Sequence, residues 1–230
     1  MAKQPGREHR ILIVDDHALI RRGLAALIGQ EDDLFVCGEA TELAQAMKII
    51  RELTPDLILV DLTLASGNGL ELVKHVAAAH PYVRMLVCTM HDEKIYAERC
   101  LRAGAHGFIN KEAAGDEVIT AIRTILSGKP YVSNELSQRL VNRVINGQSA
   151  IETSPVQRLT DRQLEVFELI GQGLSTREVA EKLHLSPKTI ESYRENIKAK
   201  LSLKSGHELT RHAIQWVMEH TNARLDDERQ

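Results

Sequence analysis

Residues 10–16 read Arg10-Ile11-Leu12-Ile13-Val14-Asp15-Asp16, and residues 57–61 repeat the pattern as Leu57-Ile58-Leu59-Val60-Asp61. Each is a short apolar run that stops on a carboxylate. No polar residue alternates within either run, so both faces must be covered, as in a parallel strand packed between helices. Working outward, strands are expected at Arg10 to Val14, Leu34 to Glu39, Asp56 to Val60, Val83 to Thr89 and His106 to Ile109. Amphipathic stretches at Ala18 to Gly29, Glu42 to Arg51, Gly69 to Ala79, Lys94 to Ala103 and Glu112 to Ser127 predict the intervening helices. Five such units make an α/β, doubly wound, five-stranded parallel sheet. Its ligand site belongs where strands end, beside a topological switch point.

Those strand ends carry Asp15, Asp16, Asp61, Thr89 and the pair Asn110-Lys111. Taken singly, Asp15 or Asp61 suits a helix N-cap as well as a ligand position. Gathered in one cleft, three carboxylates cannot all stay ionised without a cation between them. A hard, oxygen-lined site for Mg²⁺ is the economical expectation.

The chain has 230 residues, 43% hydrophobic, 27% charged and 3% aromatic, which excludes a disordered or fibrous protein. The length suits two domains. No apolar run approaches the ~20 residues of a membrane span, and residues 1–10 are polar, so no membrane association is expected. Three scattered cysteines, Cys37, Cys88 and Cys100, show no metal-like spacing and fit a reducing cytoplasm. The net charge of -3 speaks against a protein that coats nucleic acid, yet it hides a division: residues 1–127 carry -4 and residues 128–220 carry +2.

Beyond Ile125 the strand pattern disappears. Residues 128–155 read as a linker with one helix at Ser133 to Ile145, residues 156–220 as a small all-α module, and 221–230 as a polar tail. The module's helices are expected at Asp161 to Gln172, Thr176 to Leu183, Lys188 to Leu201 and His207 to Glu219, punctuated by Gly171, Gly173, Pro187 and Gly206. Thr160 followed by Gln163 predicts a capped helix start, Ser175 caps the next helix, and Ser186-Pro187 opens the third. Two helices joined by a tight turn outline a helix-turn-helix.

Residues 9–127 resemble the receiver domain of bacterial two-component response regulators. The resemblance rests on Asp15-Asp16, Asp61 followed by Gly69-Leu70-Glu71, Thr89, Ala103-Gly104-Ala105, Gly107-Phe108 and Lys111. It implies that Asp61 accepts a phosphoryl group from a sensor histidine kinase. Asp15, Asp16, Asp61 and the backbone carbonyl of Thr63 would hold Mg²⁺, Thr89 and Lys111 would contact the phosphoryl oxygens, and Phe108 would be the aromatic switch. Thr63 and His91 would flank the attacking water in slow dephosphorylation. One departure is Ala65, where the family often has Pro, which predicts a less constrained loop. A haloacid-dehalogenase-like phosphatase needs a general acid two residues after its nucleophilic Asp; this chain has Thr63 there, so a multiple-turnover enzyme is not expected.

Residues 156–220 resemble the LuxR-type DNA-binding domain, through Leu159-Thr160, Arg162-Gln163, Glu165-Val166, Gly173-Leu174-Ser175-Thr176, Glu178-Val179-Ala180, Ser186, Lys188-Thr189-Ile190 and Lys200-Leu201. Together the two halves resemble a NarL/FixJ-type regulator. At 100° per residue, Ile190, Tyr193, Ile197 and Leu201 share an apolar face and turn Glu191, Ser192 and Glu195 away from it. The resemblance makes those three the base readers, with Lys188, Thr189, Arg194, Lys198, Lys200, Lys204 and Thr176 toward the DNA backbone. Glu191 and Glu195 equally suit surface ion pairs with Arg194 and Lys198. The module holds 10 Lys+Arg against 9 Asp+Glu, so one copy should bind weakly and a homodimer on double-stranded promoter DNA should bind well. Ile214, Trp216 and Val217 are the candidate dimer surface, and RNA polymerase is a further possible partner.

Overall fold

The computed structural model describes residues 8–112, 115–146 and 155–227, without the side chains of 143, 144, 146 and 221–227. The expected positions 1–7, 113–114, 147–154 and 228–230 lie outside the described residues. The chain divides into two compact units, Met1–Ile145 and Asn146–Gln230.

The first unit alternates β1 (His9–Val14), α1 (Ala18–Ile28), β2 (Leu34–Ala40), α2 (Leu43–Leu53), β3 (Leu57–Val60), α3 (Gly69–Ala79), β4 (Arg84–Thr89), α4 (Glu93–Ala103), β5 (Gly107–Asn110) and α5 (Gly115–Leu126). Every expected strand and helix forms within a few residues of its expected ends. All pairings are parallel, and the strand order is β2-β1-β3-β4-β5. Ile11, Leu12, Ile13 and Val14 are wholly buried, as are Leu57, Ile58 and Val60, because helices cover both faces of the sheet. On one face Ile11, Ile13, Leu57 and Leu59 pack with Leu24 and Ile28 of α1 and Val118, Ala121 and Ile122 of α5.

Two glycines are required by geometry. A Cβ at Gly69 would sit 2.0 Å from the Asp61 carbonyl oxygen, so only glycine lets α3 start so close to the end of β3. Gly104 caps α4 at φ 111°, and a Cβ there would meet Ala77 at 2.6 Å.

The expected linker is not a free tether throughout. Tyr131 forms a parallel bridge to Gly107, with its amide donating to the His106 carbonyl (3.1 Å) and its carbonyl accepting from Phe108 N (3.0 Å). After it comes α6 (Asn134–Asn146), which buries Leu136 and places Glu135 3.9 Å from Lys94 of α4. The segment from Tyr131 through α6 is thus built onto the first unit.

The second unit opens with a 3-10 turn, Pro155–Arg158, followed by α7 (Asp161–Gly171), α8 (Thr176–Lys182), α9 (Pro187–Leu201) and α10 (Gly206–Asp227). Thr160 with Gln163 and Ser175 with Glu178 form reciprocal capping boxes, and Ser186 caps α9 with Pro187 in its first turn. Leu164, Phe167, Val179, Ile190, Ile197, Leu209 and Ala213 form the core. The tail expected from 221 is a correction: α10 continues to Asp227, because no Gly or Pro follows Glu219 to stop it. Among the described residues, no helix is long and apolar enough to cross a membrane.

Candidate functional site

The chain passes from β1 outward to β2, then returns across β1 to β3, so the switch point lies between β1 and β3. Val14 and Val60 are in register there, and the next residues are Asp15 and Asp61, with Asp61 N donating to Val14 O at 2.8 Å. Both aspartates are almost fully buried, at 2% and 3% exposure. From the end of β5, Lys111 reaches between them: its Nζ lies 2.6 Å from Asp15 Oδ2 and 2.7 Å from Asp61 Oδ2. Burial alone would push the Lys111 ammonium down. Its hydrogen bonds to Asp15 and Asp61, with their charges, outweigh that and hold it above the ordinary lysine value.

Asp16 is partly exposed and projects beside this pair. One ammonium faces three carboxylates, and Asp61 Oδ1 is a buried oxygen with no hydrogen-bond partner. A buried carboxylate oxygen without a partner is costly, and the cluster is compatible with a divalent cation. The acceptor atoms of Asp15, Asp16, His17 and Asp61 all lie within 4.8 Å of one another. His17 escaped the sequence reading. Its one signal is its place directly after Asp15-Asp16, where the helix begins and the chain turns back over the pocket.

Thr89 is wholly buried at the end of β4; its carbonyl accepts from Lys111 N at 3.0 Å and its hydroxyl from His91 N at 3.4 Å. Thr63 is exposed, and its hydroxyl lies 3.2 Å from His91 Nε2, so the loops after β3 and β4 meet at the mouth of the site. Phe108 is buried at 2% exposure within β5, its ring inside the core. The loop carrying Ala65 is better held than expected. Ala65 N donates to Thr41 O at 3.1 Å, a bond that a proline could not make, and Ser66 Oγ donates to Glu42 at 2.7 Å.

In the second unit α8 and α9 are joined by a turn that Arg162 clamps, its guanidinium donating to Leu183 O at 3.0 Å. Ile190, Ile197 and Leu201 face inward with Tyr193 half-buried, while Glu191, Ser192 and Glu195 are exposed. Both acids already have partners: Glu191 lies 3.8 Å from Arg194 and accepts from Thr176 Oγ1 at 2.9 Å, and Glu195 lies 2.9 Å from Lys198. Lys188 and Lys204 are exposed at the two ends of α9, and Thr189 is half-buried beside Ser186 Oγ, 2.8 Å away. Two expectations need correction. Lys200 turns into its own unit, donating to Arg158 O at 3.1 Å and to Gln163 Oε1 at 2.8 Å, the same buried oxygen that accepts from Thr160 N at 3.0 Å in the capping box. Trp216 is 8% exposed, packed against Phe167 at 5.7 Å and stacked on His220 at 4.3 Å, so it is core; Ile214 is exposed and Val217 half-buried.

Comparison with known proteins gives the same two-part picture. Residues 11–123 match the response regulator receiver domain, and residues 157–213 match the bacterial regulatory proteins of the luxR family. The oxygen regulatory protein NreC of Staphylococcus aureus (strain JH9) is 36% identical over 209 residues, spanning 89% of this chain and 96% of the relative. A two-component response regulator of the LuxR family from Aurantimonas sp. SI85-9A1 matches at 33% identity and a TM-score of 0.55, over 60% of this chain and 99% of that one. RcsB of Salmonella enterica serovar Typhimurium, bound to promoter rprA in the presence of phosphomimetic BeF3-, shares the fold with a TM-score of 0.65 and 23% identity, over 90% of this chain and 98% of its own.

Proposed function

The chain belongs to the two-component response regulators that pair a receiver with a LuxR-type DNA-binding domain to control transcription, and from that premise we propose that Asp61 is its phosphoacceptor. The observation that carries this assignment is the buried Lys111 ammonium set against Asp61 Oδ2, with Asp61 Oδ1 left unpartnered. A carboxylate oxygen of Asp61 attacks the phosphorus of a sensor kinase's phosphohistidine. The phosphorus–nitrogen bond breaks, its electron pair stays on the imidazole, and an acyl phosphate results.

Asp15, Asp16, Asp61 and the Thr63 carbonyl would hold Mg²⁺, which supplies charge neutralisation at the phosphoryl oxygens. Lys111 is oriented to bind an equatorial phosphoryl oxygen once Asp61 is esterified. The Thr89 hydroxyl donates to another and draws the loop after β4 toward the site. That movement reaches Phe108, which pairs in register with Val87 two residues before Thr89. Thr63 and His91, at the mouth, would set the rate at which water removes the phosphoryl group. Incubation with a small acyl phosphate and Mg²⁺ should add one phosphoryl group per chain, and labelling that persists unchanged in Asp61→Asn would overturn the assignment.

The DNA-facing side of α9 presents Glu191, Ser192 and Glu195 to base edges, where a carboxylate can accept from cytosine N4. Lys188, Thr189, Arg194, Lys198, Lys204 and Thr176 lie toward the phosphates. The likeness to RcsB on its promoter supports a comparable use of this unit. Weak net charge makes a homodimer on a roughly palindromic operator the effective binder, with Ile214 and Val217 as its surface. Contact with RNA polymerase and residence in the cytoplasm complete the reading.

A further inference from the structure

The geometry points to His17 as a nitrogen ligand of the divalent cation at the phosphoacceptor pocket, giving this chain a site that prefers Mn²⁺ over Mg²⁺ relative to an all-oxygen one. The inference rests on the cation-binding reading above and extends it to a residue outside the oxygen-donor set. His17 Nδ1 stands 2.8 Å from Asp16 Oδ1, 3.5 Å from Asp15 Oδ1 and 3.9 Å from Asp61 Oδ2. Donors at ~2.1 Å from one octahedral ion lie about 3 Å apart when adjacent and about 4.2 Å apart when opposite. The shortest is close to the adjacent separation, the other two lie between the two values, and all the ligand atoms are within 4.8 Å of one another, so small side-chain rotations would gather them on one ion.

The shortest of them is a close imidazole–carboxylate contact. Asp16 Oδ1 is a buried oxygen without a hydrogen-bond partner although an imidazole nitrogen lies within 2.8 Å of it. Asp61 Oδ1 is orphaned in the same pocket, on a residue that is 3% exposed. The backbone fixes the arrangement, since His17 N donates to Asp15 Oδ1 at 2.8 Å and His17 itself is the N-cap of α1 without using its side chain as a cap. Imidazole suits Mn²⁺ and later transition metals, whereas Mg²⁺ takes oxygen.

The test is pulsed electron paramagnetic resonance on the full chain loaded with Mn²⁺ alone. Nitrogen-14 modulation is expected in the wild type and its loss in His17→Ala and His17→Asn. Mn²⁺ affinity should fall ~10-fold in His17→Ala, while Mg²⁺ affinity, which does not draw on the nitrogen, changes less than about threefold. Mn²⁺ that binds in an Asp61→Asn-sensitive manner without nitrogen modulation would overturn the role of His17 and leave the carboxylate site intact. Nitrogen modulation persisting in His17→Ala would equally overturn it. Absence of any Mn²⁺ or Mg²⁺ binding would overturn the cation reading itself.

Discussion

Lys111 shows how one side chain can join stability to chemistry. Its ammonium is enclosed by two buried carboxylates, so Lys111→Met should cost ~3–5 kcal/mol, the penalty of stranding buried charge, measured by denaturant unfolding without divalent ions. A loss below about 1 kcal/mol would mean that water already reaches Asp15 and Asp61. His106 offers a separate titration. Burial first, and the Arg84 charge second, hold its pKa below the ordinary histidine value, while its Nδ1 accepts from Met85 N at 3.2 Å. The neutral ring is favoured in the fold, so its contribution is fully present above the unfolded pKa of about 6.5 and lost as pH falls below it. Unfolding measured from pH 7 to pH 5 should therefore show a shallower decline in His106→Gln than in the wild type. At this scale the sequence exposed Asp15, Asp16, Asp61, Thr89 and Lys111, because each sits at or just beyond the end of a strand and parallel topology makes strand ends converge. It did not expose His17, whose role depends on where the first turn of α1 aims a ring. Nor did it expose the inward turn of Lys200, which depends on Arg158 and Gln163, distant in sequence, lying within its reach.

Elements were more legible than their joins. Short, β-branched apolar runs bounded by turns fit strands covered on both faces, and Thr160, Ser175 and Ser186 mark helix starts through local hydrogen bonds that need no tertiary partner. The loop after β3 was misjudged, since a missing proline suggested slackness where the structure has a tether. Ala65 N is bonded to Thr41 O, so Ala65→Pro should destabilise the receiver by ~1 kcal/mol or more, despite the usual entropic benefit of proline. A rise in melting temperature in that variant would show that the tether contributes nothing. The segment around Tyr131 was hidden for a different reason: a single bridged residue has no periodicity to read. Its two hydrogen bonds attach the start of the linker to His106, just before β5, and to Phe108 within it, the strand that leads directly into Lys111. Any shift of β5 that follows phosphorylation is thereby passed directly to the segment leading into α6.

The whole molecule divides its charge as it divides its labour. An acidic unit concentrates carboxylates where, on the proposed reading, phosphate and a cation meet. A nearly neutral unit carries α9, whose acids are already paired with Arg194, Lys198 and Thr176. On the reading proposed above, a single copy has little electrostatic hold on DNA, the occupied fraction of an operator depends on pairing two copies, and pairing is what the receiver governs. The measurement that bears most directly on this account is the affinity of the full chain for duplex DNA selected from a genomic pool, before and after treatment with a small acyl phosphate and Mg²⁺. Phosphorylation should tighten binding by roughly 10-fold, within the usual range of coupling between two sites, and Asp61→Asn should bind at the untreated level throughout. Equal affinity in both states of the wild type, or an undiminished response in Asp61→Asn, would contradict it.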